Sequence, residues 1–423
     1  DSNNLIYHQR STIPSTVKIL YYIWNKYGSG KMDWDELVSP AIELGENGFQ
    51  IGRFRGVVYQ KNKSLLLESP HHVEPWLLNG KIPLEGDWLK QPLLAATLKR
   101  IAHGGESEFY RGEIAREIAR DMSENNGWIT LEDLNNFPDP VELPALMTQY
   151  RGYDIYTSTP PCGGWVMLRV LNELSNTTIE SMSIDSLRLF HMVSALKNAH
   201  NERIISPIKN LRNFEKEINL KFDDNNKLNS NNGETTHFSI VDRNGIAVAV
   251  TSSINAYFGA KAASNKLGFL YNTYMDDFIF GDSSHPYAIG PGKMAFSSMT
   301  PTIVLKDGKP VLLLGSPGSA RIISSVAQIV SAWIDEKLSI KEAVSRPRVH
   351  VSQGNAYFED DQDFHLVSSQ LDLLGLKRKM VNPFLLYGGL NAYYGGVHAI
   401  ALENGKWVGA ADPRRDGQVY YSN

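Results

Sequence analysis

A segment reading Gly233-Glu-Thr-Thr-His-Phe-Ser-Ile-Val-Asp-Arg-Asn-Gly-Ile-Ala-Val-Ala-Val-Thr251 leaves a chain few options. Phe238, Ile240 and the Ala247–Val250 run are strand-like, and Asn244-Gly245 between them predicts a hairpin closed by a two-residue type I′ turn. The preceding stretch, 222–233, is polar and Asn-rich and reads as a disordered linker. Thr235 and Thr236 therefore stand where a linker meets a strand that enters the core. If the chain were cut between Glu234 and Thr235, a hydroxyl and a new α-amine would share one rigid strand end. A free α-amine has a pKa of about 7.7–8.0, suited to a general base near neutrality. An N-terminal threonine thus carries nucleophile and base in one residue. The same segment also reads as an ordinary β-hairpin after a surface loop, since Asn-Gly hairpins are common.

Composition narrows the class around this hairpin. With 423 residues, 42% hydrophobic and 21% charged, the chain reads as an ordinary globular protein. A net charge of −4 gives no electrostatic ground for nucleic-acid or anionic-membrane partners. Apolar runs such as Ile303–Leu305 and Val311–Leu314 fall far short of the ~20 residues that span a bilayer, so no membrane span is expected. The single cysteine, Cys162, excludes an intrachain disulfide and reads as a buried small residue, because no His or Asn pattern marks it as a nucleophile. No His-x-x-x-His or comparable ligand set is present, so neither a metal nor another cofactor is expected. Asp1-Ser-Asn-Asn lacks the basic start and apolar stretch of a signal peptide. Sparse cysteine favours the cytoplasm and also fits a secreted or periplasmic protein whose targeting segment has been removed.

The first half reads mainly helical. Ile114, Ala115, Ile118, Ala119 and Met122 predict a helix ended by Gly127, and Thr130-Leu-Glu-Asp133 predicts a capping box opening another. Leu187 to Ile205 predicts a third helix, with Phe190, Val193, Ala195 and Ala199 inward. One strand is expected over Tyr150 to Tyr156, then a loop at Pro160-Pro161-Cys162-Gly163-Gly164 and a helix from Trp165 to Leu174. The second half alternates strands and turns. Strands are expected at Gly268–Asn272, Thr302–Leu305 and Val311–Gly315, the last two joined by Asp307-Gly308. A helix from Arg321 to Trp333 follows, and Asn404-Gly405 joins a strand pair at Val397–Leu402 and Trp407–Ala410. Helices flanking a hairpin-rich sheet make an α+β layered domain.

Four polar clusters fall beside these strands. Val311-Leu-Leu-Leu-Gly-Ser-Pro-Gly-Ser-Ala320 passes from a strand through a Gly-rich turn into a helix, whose first N–H groups carry positive potential. Such a turn holds a phosphate or a developing oxyanion, or simply connects the two elements. The spacing is not that of a P-loop. Ser252-Ser253-Ile254-Asn255 ends the second hairpin strand, Met275-Asp276-Asp277-Phe278 follows the expected 268–272 strand, and Ser297-Ser298-Met299 precedes the Thr302 strand. All four are read as lying at strand ends of one sheet.

In this order and spacing the residues resemble the γ-glutamyltransferase family of N-terminal nucleophile hydrolases. The matching motifs run from Thr235-Thr236-His237 to Asp242, then Asn255, Phe258-Gly259, Met275-Asp276-Asp277-Phe278, Ser297-Ser298-Met299-Thr300-Pro301-Thr302 and Gly315-Ser316-Pro317-Gly318. Pro347-Arg348-Val349-His350 and Asp412-Pro413-Arg414 extend the match, and Ser39-Pro40-Ala41-Ile42 and Phe109-Tyr110-Arg111-Gly112 carry it into the first half. The resemblance implies an αββα sandwich made from one precursor, with 1–234 as a large-subunit portion and 235–423 as a small-subunit portion. By the resemblance, self-cleavage frees Thr235, which attacks a γ-glutamyl amide, and water or an amine accepts the acyl group. It assigns Ser253 to bond the nucleophile, the Gly318 and Ser319 N–H groups to the oxyanion, Asn255 and Asp277 to the donor's amino group, and Ser297 and Ser298 to its carboxylate.

The chain also departs from the family pattern. Ser319 replaces the second of two adjacent glycines, and Tyr274 stands where an acidic or amide residue helps grip the amine. The stretch from Asp277 to Ser297 is short, which implies that the lid loop of some members is absent. The family's early segment carries an arginine for the donor carboxylate, and Arg10 does not stand in a matching context. These departures keep two alternatives open, an acylase for glutaryl or cephalosporin-type side chains and an enzyme of polymeric γ-glutamate. An inactive binding module is a third reading, against which stands retention of the whole residue set.

Overall fold

The computed structural model describes residues 4–71, 73–205, 233–381 and 386–422. The Asn-rich linker up to residue 232 therefore lies outside the described residues, while Gly233 already belongs to a strand. The chain divides into two compact units, Asp1–Glu142 with Ile254–Ser283 and Leu143–Ser253 with Ser284–Asn423.

The first unit is helical. Helices α1 (Thr16–Tyr27), α2 (Trp34–Asn47), α3 (Pro92–Tyr110) and α4 (Glu113–Glu124) pack together, with Gly45 of α2 letting the backbone approach Ala95. In α4 the expected positions Ile114, Ala115, Ile118 and Met122 are buried, and Gly127 closes the end by donating its N–H to Met122 O at 2.7 Å. Thr130 and Asp133 form the expected capping box. The expected strand at Gly268–Asn272 does not form. That segment carries one isolated bridge, Ala263 to Leu270, with Tyr271 N donating to Ala262 O at 3.0 Å and Tyr271 O accepting from Ala260 N at 2.8 Å, and side chains pin it further. Tyr271 is fully buried with its hydroxyl on Asp121 at 2.8 Å, and His8 Nε2 meets the same carboxylate at 3.1 Å.

The second unit is layered. Its strands are β1 (Leu146–Tyr150), β2 (Tyr153–Thr157), β3 (Gly233–Val241), β4 (Ala247–Ala256, whose last three residues count with the first unit), β5 (Thr302–Lys306), β6 (Lys309–Gly315), β7 (His398–Glu403) and β8 (Lys406–Ala411). Six of them form an antiparallel sheet in the order β8-β7-β6-β5-β2-β1. Helices α5 (Gly164–Ser175), α6 (Asp185–Ile205) and α7 (Arg321–Ile334) share one core with this sheet. Leu312, Leu313 and Leu314 are all buried, because β6 is covered on both faces. Leu312 and Leu314 join the helix-side core, and β3 of the β3–β4 pair packs on β6 and β7 from the other side.

Two expectations about turns are corrected. The expected single strand Tyr150 to Tyr156 is two strands, paired from Leu146↔Thr157 to Tyr150↔Tyr153. Arg151 (φ 53°) and Gly152 (φ 78°) between them have the positive angles of a type I′ turn, a pair that lacks the Asn-Gly signal. At the Asn-Gly signal itself, only Gly245 has positive φ, at 85°. Asp242 Oδ1 accepts from Asn244 N at 2.9 Å and Ile246 N at 2.8 Å, and Gly245 N donates to Asp242 O at 3.1 Å. The aspartate thereby selects a type I turn followed by a left-handed glycine, one residue longer than expected. Asp307-Gly308 (φ 51° and 73°) and Asn404-Gly405 (φ 50° and 74°) are tight turns as read.

The motifs near the C-terminus meet in a buried ion network. Asp412 accepts from Arg348 Nη2 at 2.6 Å and from Arg414 Nη1 at 3.0 Å, while Arg414 grips Glu359 through Nε at 2.9 Å and Nη2 at 2.6 Å.

Candidate active site

Strand β3 places Thr235 one residue after Glu234 at its start, opposite Ser253 of β4. The Thr235 and Ser253 hydroxyl oxygens are 2.9 Å apart, and Ser253 donates to the Glu234 carbonyl at 2.9 Å. A serine hydroxyl has one proton. With that proton on the Glu234 carbonyl, Ser253 accepts from Thr235. The three groups thus form a directed chain from the threonine hydroxyl to the carbonyl of the peptide bond before it. Alternation along β3 turns His237 inward as well. It is buried against Gly315, where a Cβ would come within 2.3 Å of its Nδ1. Thr251 Oγ1 meets Nδ1 at 2.8 Å and Ser239 Oγ meets Nε2 at 3.0 Å.

The strand-to-helix turn after β6 is held in an unusual backbone shape. Gly318 has φ 131° and Ser319 has φ 56°, a left-handed angle that costs a side-chain residue about 1–2 kcal/mol. Their carbonyls accept from Arg321 N at 3.2 Å and Ile322 N at 3.0 Å, which starts α7. Ser316 Oγ accepts from Gly396 N at 3.2 Å, and Ser325 Oγ donates to Tyr394 O at 2.7 Å, bracing the turn on the 394–396 segment.

Ser297 and Ser298 lie before β5, on a loop tied down by Ser297 N to Pro161 O at 2.9 Å and Gly163 N to Met299 O at 3.0 Å. A residue not singled out by sequence, Arg203 of α6, reaches both. Its Nη1 donates to Ser298 Oγ at 3.0 Å and its Nη2 to Ser297 O at 3.2 Å. Cys162 on the neighbouring loop is half-buried rather than buried, and desolvation pushes its thiol up, away from the reactive thiolate.

Asn255, Tyr274 and Asp277 belong to the first unit. Asn255 has φ 71° and donates from Nδ2 to Thr273 O at 3.1 Å. Tyr274 and Asp277 bound a short 3₁₀ turn, Tyr274–Asp277, which follows no ladder strand. The expectation that Asp277 follows a strand end in the sheet of Thr235 is therefore corrected. Asn272 organises this turn, its Oδ1 accepting from Tyr274 N at 3.0 Å and Thr12 N at 3.1 Å. Arg10 is ion-paired with Asp276, the neighbour of Asp277. Among the described residues no group of three His, Cys, Asp or Glu side chains is arranged to hold a metal, and no helix is long and apolar enough to cross a membrane.

Three buried histidines of the second unit are held neutral. Burial pushes His200 and His237 each down to about 3, and drives His350 well below its ordinary value. Ser324 of α7 links two of them, meeting His200 Nε2 at 3.2 Å and His350 Nδ1 at 2.8 Å. The unfolded chain binds these protons below about pH 6.5 and the folded chain does not until about pH 3, so stability falls as pH falls through that window. Between pH 7 and pH 5, His200 and His237 together should lower the unfolding free energy by about 4 kcal/mol. Urea unfolding at the two pH values checks this. His200→Asn should remove its own share, about 2 kcal/mol of the change between the two pH values, and an unchanged slope would show that His200 is not held neutral.

A family model described as Gamma-glutamyltranspeptidase matches residues 2–422. The chain is 33% identical over 451 residues to the glutathione hydrolase proenzyme of Escherichia coli (strain K12), covering 97% of this chain and 75% of that one. It is 33% identical over 372 residues to glutathione hydrolase 2 of Arabidopsis thaliana, covering 80% of this chain and 64% of that one. Among solved structures, the cephalosporin acylase from Bacillus halodurans superposes with a TM-score of 0.78 at 20% identity, covering 99% of this chain and 80% of that one, a likeness of fold.

Proposed function

Since the chain belongs to the γ-glutamyltranspeptidase family, enzymes with the α+β fold of the N-terminal nucleophile hydrolases, we propose that it cleaves γ-glutamyl amides such as glutathione through a threonyl acyl-enzyme. The observation that carries this reading is the chain of hydroxyls from Thr235 through Ser253 to the Glu234 carbonyl. In the first step the Thr235 oxygen attacks that carbonyl, while Ser253 donates to the oxygen on which negative charge builds. The N→O shift gives an ester, water hydrolyses it, and the freed α-amine becomes the base for the same hydroxyl. The products are two subunits, 1–234 and 235–423, that act together. In turnover Thr235 attacks the γ-carbonyl of the donor, the amine leaves, and water or an acceptor amine takes the acyl group.

The remaining roles rest on the family resemblance, residue by residue. The Gly318 and Ser319 N–H groups receive the oxyanion, and Ser319 serves through its backbone, since the left-handed turn is held despite its side chain. Ser297 and Ser298 take the donor carboxylate, and Asn255 and Asp277 its ammonium. Tyr274 provides no carboxylate or amide of its own there, which keeps an acylase of glutaryl-type amides as the second reading. Sparse cysteine slightly favours the cytoplasm as its compartment, with a secreted or periplasmic location as the alternative.

A comparison of γ-glutamyl and glutaryl anilides tests the assignment, because the two acyl chains differ only by the α-amine. A charge-assisted contact is worth about 1.5–3 kcal/mol, so Asp277→Asn should lower kcat/KM for the γ-glutamyl donor about tenfold to a hundredfold and leave the glutaryl donor nearly unchanged. Equal activity of the unmutated enzyme on both donors, with Asp277→Asn selective for neither, would favour the acylase.

A further inference from the structure

Arg203 makes contacts with three consecutive residues. Its guanidinium lies 5.3 Å from the Phe296 ring centroid, its Nη2 donates to Ser297 O at 3.2 Å, and its Nη1 donates to Ser298 Oγ at 3.0 Å. It is itself buried on α6, and the planar fork spans the Ser297–Ser298 peptide as a single flexible cation would not. The polarity of the Ser298 hydroxyl follows from this. An oxygen that accepts N⁺–H from a guanidinium has a lone pair spent on that side, so its own proton points to another acceptor. The buried cation also makes that proton a better donor. Ser298 is thereby set as a donor, which suits an anion and repels an ammonium group.

Resting on the reading of Ser297 and Ser298 as the carboxylate site, we infer that Arg203 is a positioning residue that commits Ser298 to donate toward the substrate carboxylate. It makes the serine pair selective for anionic acyl donors without touching the donor. The loop backbone is fixed from the other side by Pro161 and Gly163, so loss of Arg203 frees the hydroxyl rotor more than the chain.

Three anilides separate the contributions. γ-Glutamyl carries carboxylate and amine, glutaryl only the carboxylate, and 4-aminobutyryl only the amine. Arg203→Lys should raise KM about tenfold for the first two donors, with kcat within about threefold, and leave 4-aminobutyryl unchanged. Ser298→Ala should give the same carboxylate-specific loss, and adding Arg203→Lys to it should change KM less than about twofold, because the cation then has no hydroxyl to orient. Thermal melting of each variant checks the fold. Equal losses on all three donors, or losses in kcat alone, would reduce Arg203 to a structural role and overturn the inference. If Arg203→Lys fails to fold, a Ser298→Ala loss shared by 4-aminobutyryl overturns it equally. An unmutated enzyme that takes 4-aminobutyryl as well as glutaryl would instead remove the carboxylate reading on which the inference stands.

Discussion

Thr235→Ala should yield a single uncut chain, and its γ-glutamyl hydrolase activity should fall by on the order of 10⁴–10⁶, the range seen when a nucleophile is removed from a unit that acts as one. The unmutated protein should instead show fragments 1–234 and 235–423 by intact mass, the second beginning Thr-Thr-His-Phe. Two effects stack in the variant, since alanine leaves no hydroxyl to attack the Glu234 carbonyl and none to attack a donor. Thr235→Ser keeps the oxygen and should still cut, more slowly, because the methyl that fixes the rotamer is gone. Cleavage of Thr235→Ala at the same bond would assign processing to an outside protease.

Asp412→Ala should lower the unfolding free energy by about 3–5 kcal/mol, read as a shift of the urea midpoint. The carboxylate is buried with both oxygens occupied, by Arg348 Nη2 at 2.6 Å and Val397 N at 2.9 Å on one, and by Arg414 N and Nη1 at 3.0 Å on the other. Burial alone would raise its pKa, and the two guanidinium groups outweigh burial and hold it below the ordinary carboxylate range. Removing it leaves Arg348 with backbone carbonyls as its hydrogen-bond acceptors and Arg414 with Glu359 as its carboxylate partner. Asp412→Asn keeps the shape and should cost nearly as much, because the charge and not the volume is what the arginines need. A loss under about 1 kcal/mol in both variants would show that water or a rearranged Glu359 replaces the carboxylate.

What could be read from sequence divides along the range of the forces involved. Helix α4 was legible because its apolar spacing is local, and so was the 130–133 capping box. The hairpin at Thr235 was legible as an element, yet its turn was not, since the side chain of Asp242, three residues before the glycine, decided the type. Arg151-Gly152 hid a turn because an arginine there carries no turn signal, so one strand was read where two form. The 268–272 strand failed because its apolar residues are buried by packing on helices, where no partner strand pairs with them along a ladder. Of the candidate site, Thr235 with Ser253 and the 318–319 turn were legible from order and family resemblance. Arg203 was not, because 94 residues separate it from Ser297 and only the fold brings them together. A faint local signal existed: His200 and Arg203 put polar groups on a helix whose neighbours Leu196 and Ala199 are buried.

The order of the six-stranded sheet bears on what a break after Glu234 does to the protein. Strands β1 and β2 precede that bond and β5 to β8 follow it, yet β2 and β5 are zipped side by side from Asp154↔Leu305 to Thr157↔Thr302. Helices α5 and α6 likewise come from before the bond and share one core with α7 from after it. A cut there is a nick and not a division. The two pieces are interleaved like the halves of a complemented enzyme, so neither can leave without exposing the common core to water. The layers are held by strand pairing and a shared core that do not run through the peptide bond at that point.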